Sequence, residues 1–311
     1  MFTLIIPYYN RAKFLPRVLR SILHSSIKPE FIILVDNAST DQSFEICKEF
    51  SLSHPELSIR LLSEQHKGAS YARNMGLSQV TTEWVYFFDS DDELSSNYFA
   101  TVRKIISTNE DVDVVCCATK MMFADGKEVV RKVQYSSSPV DQILSGQLTT
   151  QGMFFKTSFL RRIGGWNHTL TTWDDWELGV RVLLHEAKII WIKDQAFHHL
   201  YQHSESLTGE SFSSTYLGIR RALDTVYILV RTNETLILAL IFRCIILSAL
   251  LHREKDLIHS QELRRAALLF DKHRNLLTRI MLDLLYFYVC KGGKGAWWIA
   301  LRFLRSKKTY R

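Results

Sequence analysis

Several common signatures are missing from this sequence, and each absence narrows what it can be. Cysteine is scarce: Cys47, Cys116, Cys117, Cys244 and Cys290 are odd in number, sit among apolar neighbours and show no CxxC or Cys/His spacing. That excludes a structural zinc site and a disulfide framework, and buried thiols in a reducing compartment account for them. No GxGxxG follows the first apolar run, and neither GxxxxGKS nor GxxxxGKT occurs anywhere. Any phosphate must therefore be held without a dinucleotide fingerprint or a P-loop. The amino terminus, MFTLIIPYYNR, has an apolar run of about five residues before a proline and lacks the basic flank and cleavage site of a signal peptide, so a cytoplasmic location is expected. No long uninterrupted apolar run is present either. Thr235–Leu251 is 17 residues with Arg243 in its middle, whereas a bilayer crossing takes about 20 apolar residues. A core helix, or one lying on a membrane surface, is the expectation there.

What is present reads as a folded chain. Hydrophobic residues make up 47% of the 311 and charged residues 23%, close to soluble globular averages, which argues against disordered, collagen-like and multi-span membrane chains. The length has room for one large domain or two small ones. The net charge of +7 is uneven: residues 252–311 carry 14 Lys/Arg against 5 Asp/Glu, or +9, leaving −2 for residues 1–251. A basic terminal region of this kind points to anionic lipid, nucleic acid or an acidic partner.

The first half alternates short apolar runs with helical patterns. Phe2–Ile6, Phe31–Val35, Leu57–Leu62, Trp84–Phe88 and Val112–Ala118 are rich in β-branched and aromatic residues and predict buried strands. Phe14, Leu15, Val18, Leu19, Ile22 and Leu23 recur at helical spacing, and Ser39-x-x-Gln42 has the form of a capping box opening a second helix. Asp125-Gly126 between two apolar stretches predicts a hairpin. A helix is expected from about Asp174 to His185, a strand over Lys188–Ile192, and helices from about Ser214 almost to the end. The fold class is α/β: a mostly parallel central sheet flanked by helices, followed by an α-helical carboxyl-terminal extension.

In such a sheet, ligands bind outside the carboxyl ends of the strands. Three of those ends are polar: Pro7-Tyr8-Tyr9-Asn10-Arg11, Asp36-Asn37-Ala38-Ser39-Thr40-Asp41 and Asp89-Ser90-Asp91-Asp92. Two carboxylates in an Asp89-x-Asp91 pattern can hold Mg²⁺ or Mn²⁺ with positions left for water and phosphate oxygens. Acidic residues there could instead cap the following helix. Asp174-Asp175 in the first turn of a helix would be favoured by its dipole, by about 0.3–1 kcal/mol each, whatever else they do.

The ordered set TLIIPYYNR at 3–11, LVDNASTD at 34–41, GASYARNMGL at 68–77, FFDSDDE at 87–93, and GGW followed by WDDWELGVR at 173–181 resembles the family 2 glycosyltransferases of the GT-A fold, over about residues 1–210. The resemblance implies a nucleotide-sugar donor, a divalent metal (Mn²⁺ or Mg²⁺) and inversion at the anomeric carbon. It places Pro7, Tyr8, Tyr9 and Asp36 along the base and ribose of the donor. Arg73 falls in reach of base or phosphate, with Ser90 also on the donor. Asp89 and Asp91 match the DxD metal motif, and Asp92 supports them. Asp175 matches the usual catalytic base. Asp174 stands where Glu is commoner, one methylene shorter, so either acid could face the acceptor. Trp173 and Trp176 flank the pair and could stack on an acceptor sugar or belong to the core. His199-Leu-Tyr-Gln-His203 resembles the family's YRxHxxSxS loop, with Tyr201 where Arg is common, and makes His203 a third metal or diphosphate contact.

A GT-A nucleotide-sugar-binding and catalytic domain over 1–212 and a basic helical region over 213–311 follow as the expected organisation. In the latter, Trp297, Trp298, Leu301 and Leu304 alternate with Lys294, Arg302, Arg305, Lys307 and Lys308, a basic aromatic helix suited to an anionic membrane surface or to docking on its own domain. Apolar and aromatic residues outweigh any clean basic stripe, which argues against nucleic acid. The expected activity is transfer of a sugar, a UDP-sugar being the first candidate donor, to a glycan or lipid-linked acceptor at the inner face of the plasma membrane. A non-catalytic scaffold of a glycan-assembly complex and a metal-dependent nucleotidyltransferase are the alternatives. The intact acids argue against the first and the WDDWEL match against the second.

Overall fold

The computed structural model describes residues 1–123, 125–131, 133–201, 211–270 and 276–308. The buried runs form strands as expected: β1 (Phe2–Tyr8), β2 (Phe31–Asp36), β3 (Ile59–Ser63) and β4 (Trp84–Phe87). These four pair in parallel in the spatial order β3-β2-β1-β4. Beyond β4 the sheet turns mixed. β8 (Met153–Lys156) runs antiparallel to β4 and to β6 (Val114–Met122), while β9 (Ile189–Tyr201) runs parallel to β6. The short β5 (Glu93–Leu94) closes the far edge on β9, and β7 (Glu128–Val130) pairs with β6 in the hairpin that Asp125-Gly126 predicted. Two strands differ from the reading. β3 lies at an edge and is half-buried, and β9 runs on through Tyr201, well past the expected Ile192. Pairing with β6 and β5 carries β9 through polar residues that have no apolar signal of their own.

The period of two in β1 feeds two cores. Leu4 and Ile6 pack under α1 (Leu15–Leu23) and α4 (Tyr98–Thr108), while Ile5 faces α3 (Ala69–Ser78) on the other side. Gly76 is what brings α3 that close, since a Cβ there would sit 2.6 Å from the Ile5 side chain. The second helix, α2 (Ser43–Ser53), begins later than the Ser39-x-x-Gln42 box implied. Loop contacts win over the cap: Ser39 Oγ accepts the Asn10 N–H, Asn10 Oδ1 accepts the Thr40 N–H, and Asp41 takes the Ser43 N–H. The first and second strand ends are thereby locked together.

The remaining helices are α5 (Pro139–Ser145), α6 (Thr157–Arg162), α7 (Asp174–Leu184), α8 (Tyr216–Val230), α9 (Glu234–Arg253), α10 (Leu257–Leu269), α11 (Leu276–Cys290) and α12 (Ala296–Lys308). The apolar run around Arg243 is the core helix of the two alternatives. α9 is 20 residues long, its most apolar window is 67% buried, and α5, α8, α10, α11 and α12 surround it. A helix apolar on all sides is stable when it is buried on all sides. Its core is continuous with the sheet unit, because Trp176 and Val180 of α7 and Ile143 and Leu144 of α5 lie in the same cluster. α12 docks on this core through Ala296, Ala300, Leu301 and Leu304, with Phe303 against Phe242. Of the two expectations for this helix, docking on its own domain holds for Leu301 and Leu304, which are interior. Trp298 stays outside with Arg302 stacked 4.0 Å from its ring.

Candidate active site

A cleft of about 360 Å³ opens at the carboxyl ends of β1, β2 and β4. Its first wall is the β1 loop. Tyr9 is 42% exposed with the Lys67 ammonium 5.7 Å from its ring, so a flat aromatic face is open to a base. Pro7 lines the wall beside it, but the Tyr8 ring belongs mostly to the core and shows only an edge to the cleft. Burial holds its hydroxyl far above the usual tyrosine pKa. Asp36 is 6% exposed, and both its carboxylate oxygens accept the Ser39 N–H at 3.3 Å. It closes a turn behind the wall, the alternative that Asx chemistry always offers at such a position. Asn37 lines the cleft in its place, with its amide donating to the Glu64 and His66 carbonyls and its Oδ1 accepting from the Gly68 N–H.

The floor is acidic. Arg73 on α3 is 6% exposed and bridges two carboxylates, Nη1 donating to Asp174 Oδ2 at 2.8 Å and Nη2 to Asp89 Oδ1 at 2.9 Å, while its plane stacks 4.4 Å from Trp166. Burial alone would lower its pKa, but Asp174 and Asp89 outweigh that and the net shift is upward. Burial raises the Asp89 pKa, Arg73 opposes the rise and Asp91 adds to it. Gln151 donates to both Asp89 and Asp92. Asp92, 3% exposed, is pushed well above the ordinary carboxylate range by burial and by Asp91 and Asp89. Asp91 pairs with Arg11 at 3.7 Å, and its carbonyl accepts from Arg17. Ser90 lines the same loop.

Among the described residues, no group of three His, Cys, Asp or Glu side chains is set to hold an ion unaided. The Asp89-x-Asp91 loop fits a cation that takes its remaining ligands from water and phosphate oxygens, as Mg²⁺ and Mn²⁺ do. Two acids in one loop, with burial holding one pKa up, are a donor set that positive charge would relieve. His203 lies outside the described residues. Its neighbour Tyr201 holds the acidic loop after β4 from β9: its N–H donates to Asp92 Oδ1 at 3.2 Å, its hydroxyl to Glu93 Oε2 at 2.8 Å, and Arg17 lies 3.8 Å from its ring. His198 is buried, neutral and hydrogen-bonded to Tyr86, its pKa lowered to about 3 by burial.

The second pair of acids opens α7 at the other side of Arg73. Asp174 is fully engaged: Oδ2 accepts from Ser70 and Arg73, and Oδ1 accepts the Asp175 N–H. Asp175 accepts the Trp176 N–H at 2.7 Å. Burial, and then the charge of Asp174, pushes the Asp175 pKa up to about 6, with Arg131 and Arg73 opposing. A carboxylate poised there is suited to proton abstraction near neutral pH. Gly179 lets α7 lie against α5, since a Cβ would meet Gln142 at 2.3 Å.

Trp176 is corrected from acceptor surface to core: it is 4% exposed and its indole donates to the Gln142 carbonyl at 3.1 Å. Trp173, at φ 60°, is partly buried between the Trp176 ring at 5.2 Å and the Arg243 guanidinium at 4.7 Å. Arg243 also donates to the Leu144 carbonyl at 2.8 Å. Burial, with Arg131 adding to the drop, pulls its pKa down to about 10. Asn37 stood in a polar strand end marked from sequence, whereas Gln151, Arg131 and Lys67 were not singled out there. Pairing at a distance brings Gln151 to the cleft, Lys67 follows from its place beside the GASYAR stretch, and Arg131 stays off the cleft lining while its charge acts on Asp175.

The family model for Glycosyl transferase family 2 matches residues 3–164, more than half of the chain, and the chain belongs to that family. Among curated relatives, Glycosyltransferase GlyA of Streptococcus pneumoniae is 39% identical over 115 residues, 36% of this chain and 16% of that protein. Minor teichoic acid biosynthesis protein GgaA of Bacillus subtilis is 36% identical over 119 residues, 37% of this chain and 26% of that one. The PGL/p-HBAD biosynthesis glycosyltransferase of Mycobacterium tuberculosis is 26% identical over 241 residues, 73% of this chain and 90% of its own. The chain thus spans well under two thirds of the first two. Two solved structures share the fold. S. aureus TarS 1-349 in complex with UDP-GlcNAc has a TM-score of 0.61 at 18% identity, covering 88% of this chain and 93% of its own. The mannosyltransferase PcManGT of Pyrobaculum calidifontis, in complex with GDP-Man and Mn²⁺, has a TM-score of 0.56 at 17% identity, covering 96% and 85%. The α/β sheet with flanking helices and a helical carboxyl-terminal region is accordingly of the GT-A type.

Proposed function

We propose that this family 2 member is an inverting glycosyltransferase that moves a hexosyl or N-acetylhexosaminyl group from a UDP-sugar to a hydroxyl of a glycan or lipid-linked acceptor, in synthesis of a cell-surface polysaccharide. The observation that carries it is the pairing across Arg73 of two acidic centres with different tasks. Asp89 and Asp91 line the cleft, and Arg73 joins Asp89 to Asp174, whose neighbour Asp175 has its pKa raised to about 6 just behind the cleft lining. The UDP-GlcNAc complex of TarS and the surface-glycan relatives support the donor and pathway class.

In this reading residues 1–212 carry donor and catalysis, and residues 213–311 brace the catalytic helix and hold the protein peripherally on the anionic inner face of the plasma membrane. Tyr9 and Asn37 receive the nucleoside, and Arg11 and Lys67 at the rim face the diphosphate. Asp89 and Asp91 would hold Mn²⁺ or Mg²⁺, which when bound stabilises negative charge on the departing diphosphate. Asp175 takes the proton of the acceptor hydroxyl as that oxygen attacks C1 from the face opposite the diphosphate. Asp174 orients Arg73 and, through its Oδ1, the first turn that carries Asp175.

Asp175→Asn tests the assignment. It should bind the nucleotide as the wild type does and release no nucleoside diphosphate when donor and a membrane-glycan acceptor are supplied together. Near-wild-type turnover would remove Asp175 from the role.

A further inference from the structure

α11 is apolar on two opposite faces. Leu282, Leu285, Tyr286 and Val289 pack on α9, as a surface helix requires. Leu277, Ile280, Leu284 and Phe287 recur at spacings of three and four on the other side, where no described residue covers them. Leu284 is 61% exposed and Phe287 60%. Tyr288 adds a half-exposed ring to the stripe, its hydroxyl donating to the Lys294 carbonyl, and Trp298 on α12 is exposed to the same degree.

The sequence that carries this stripe is basic, though Arg305 is paired with Asp141 at 3.4 Å. Residues 276–306 contain Arg279, Lys291, Lys294, Arg302 and Arg305 against the single acid Asp283, which is paired with Arg264 at 2.6 Å. A continuous apolar and aromatic face bordered by cations matches the two components of binding at an interface, apolar burial below the headgroups and attraction to anionic lipid. A second copy of this chain would bring like-charged rims together.

We infer that the exposed stripe of α11, with Trp298 beside it, is the surface by which this chain docks on an anionic lipid leaflet. α12, the helix the sequence pointed to, supplies the basic border. The inference rests on the peripheral-membrane reading above and assigns that reading a face.

The test is flotation of the full chain with vesicles of phosphatidylcholine alone and of phosphatidylcholine mixed with phosphatidylglycerol. Wild type, Leu284→Glu/Phe287→Glu and Lys291→Glu/Lys294→Glu are compared, with nucleotide binding and elution volume measured on each. The wild type is expected to float with the mixed vesicles at least about tenfold better than with phosphatidylcholine, and both double variants to lose about that factor with unchanged elution volume. If Leu284→Glu/Phe287→Glu does not fold, Leu284→Ser/Phe287→Ser replaces it and the same loss is expected. Equal flotation of wild type and stripe variants overturns the α11 assignment and leaves peripheral binding standing. No flotation of the wild type overturns both, with glycosyl transfer decided separately by the Asp175 variant. A dimeric wild type that becomes monomeric in the stripe variants without binding vesicles makes the stripe a contact between copies, which also overturns the inference.

Discussion

The two parts of this molecule handle polar and apolar residues in opposite ways. In the sheet region, polar groups go inside: Arg73, Asp92 and Asp36 are nearly inaccessible, and each is held by side chains far away in sequence or by its own turn. In the helical region, apolar groups stay outside. Among the described residues twenty large hydrophobic side chains are exposed, six before residue 212 and fourteen after it. Buried charge is costly unless it is compensated, so such a network persists in the first region because each acid has a cation or donor beside it. Exposed leucine and phenylalanine in ordered rows mark a surface that meets something apolar. One region gathers buried polar groups around a cleft, and the other gathers apolar residues around α9 and leaves a row of them outside.

The contrast can be broken at graded cost. Asp175→Asn should abolish chemistry without touching stability: removal of a general base costs about 10²–10⁴ in rate, and thermal melting should stay within a degree or two of wild type. A large fall in melting temperature would show that Asp175 supports the fold as much as the reaction. Leu240→Ala in α9 is the mirror case. Leu240 is fully buried, so the variant should lose about 2–5 kcal/mol of stability by denaturant titration, with nucleotide affinity unchanged at temperatures where it is folded.

Arg243→Met addresses the seam between the regions. It removes the guanidinium that ties α9 to Trp173 and to the Leu144 carbonyl. Turnover is expected to fall about tenfold, the order of effect of a small misplacement of a catalytic group, with the nucleotide Kd unchanged. Equal losses in Kd and turnover would mean that the helices brace the donor side as well.

The smallest effect is in pH. In the proposed role Asp175 takes a proton only when ionised, and its pKa is raised to about 6. The rate of transfer should therefore climb about tenfold per pH unit below 6 and flatten above it, read from initial rates between pH 5 and 8. A profile flat down to pH 5 would mean that Asp175 stays fully ionised and that its charged neighbours outweigh its burial.

The parts of this account that were legible in sequence share a physical property: they are set by local pattern. Fully buried strands such as β1 and β4 are short apolar runs, and the acids after β4 and at the start of α7 sit in compact motifs. What was not legible is set by pairing at a distance. Gln151 reaches Asp89 and Asp92 from a segment about 60 residues away. β9 extends through polar residues because β6 and β5 offer it hydrogen bonds. Trp176 illustrates a true ambiguity of residue type, since an indole beside two acids reads alike whether it faces a sugar or, as here, the carbonyls of α5. The loops at 8–11 and 37–41 show the same in miniature: mutual hydrogen bonds displaced a cap that local pattern favoured.

The central claim is that the cleft over Asp89 and Asp91 receives a nucleoside diphosphate together with a divalent cation. Calorimetric titration of UDP, GDP, dTDP and CDP, each with and without Mn²⁺, against wild type and Asp91→Asn tests it most directly. The account predicts binding of UDP that requires Mn²⁺ and is lost in Asp91→Asn. Binding that is indifferent to Mn²⁺ and to the substitution, or no binding of any of the four, would contradict it.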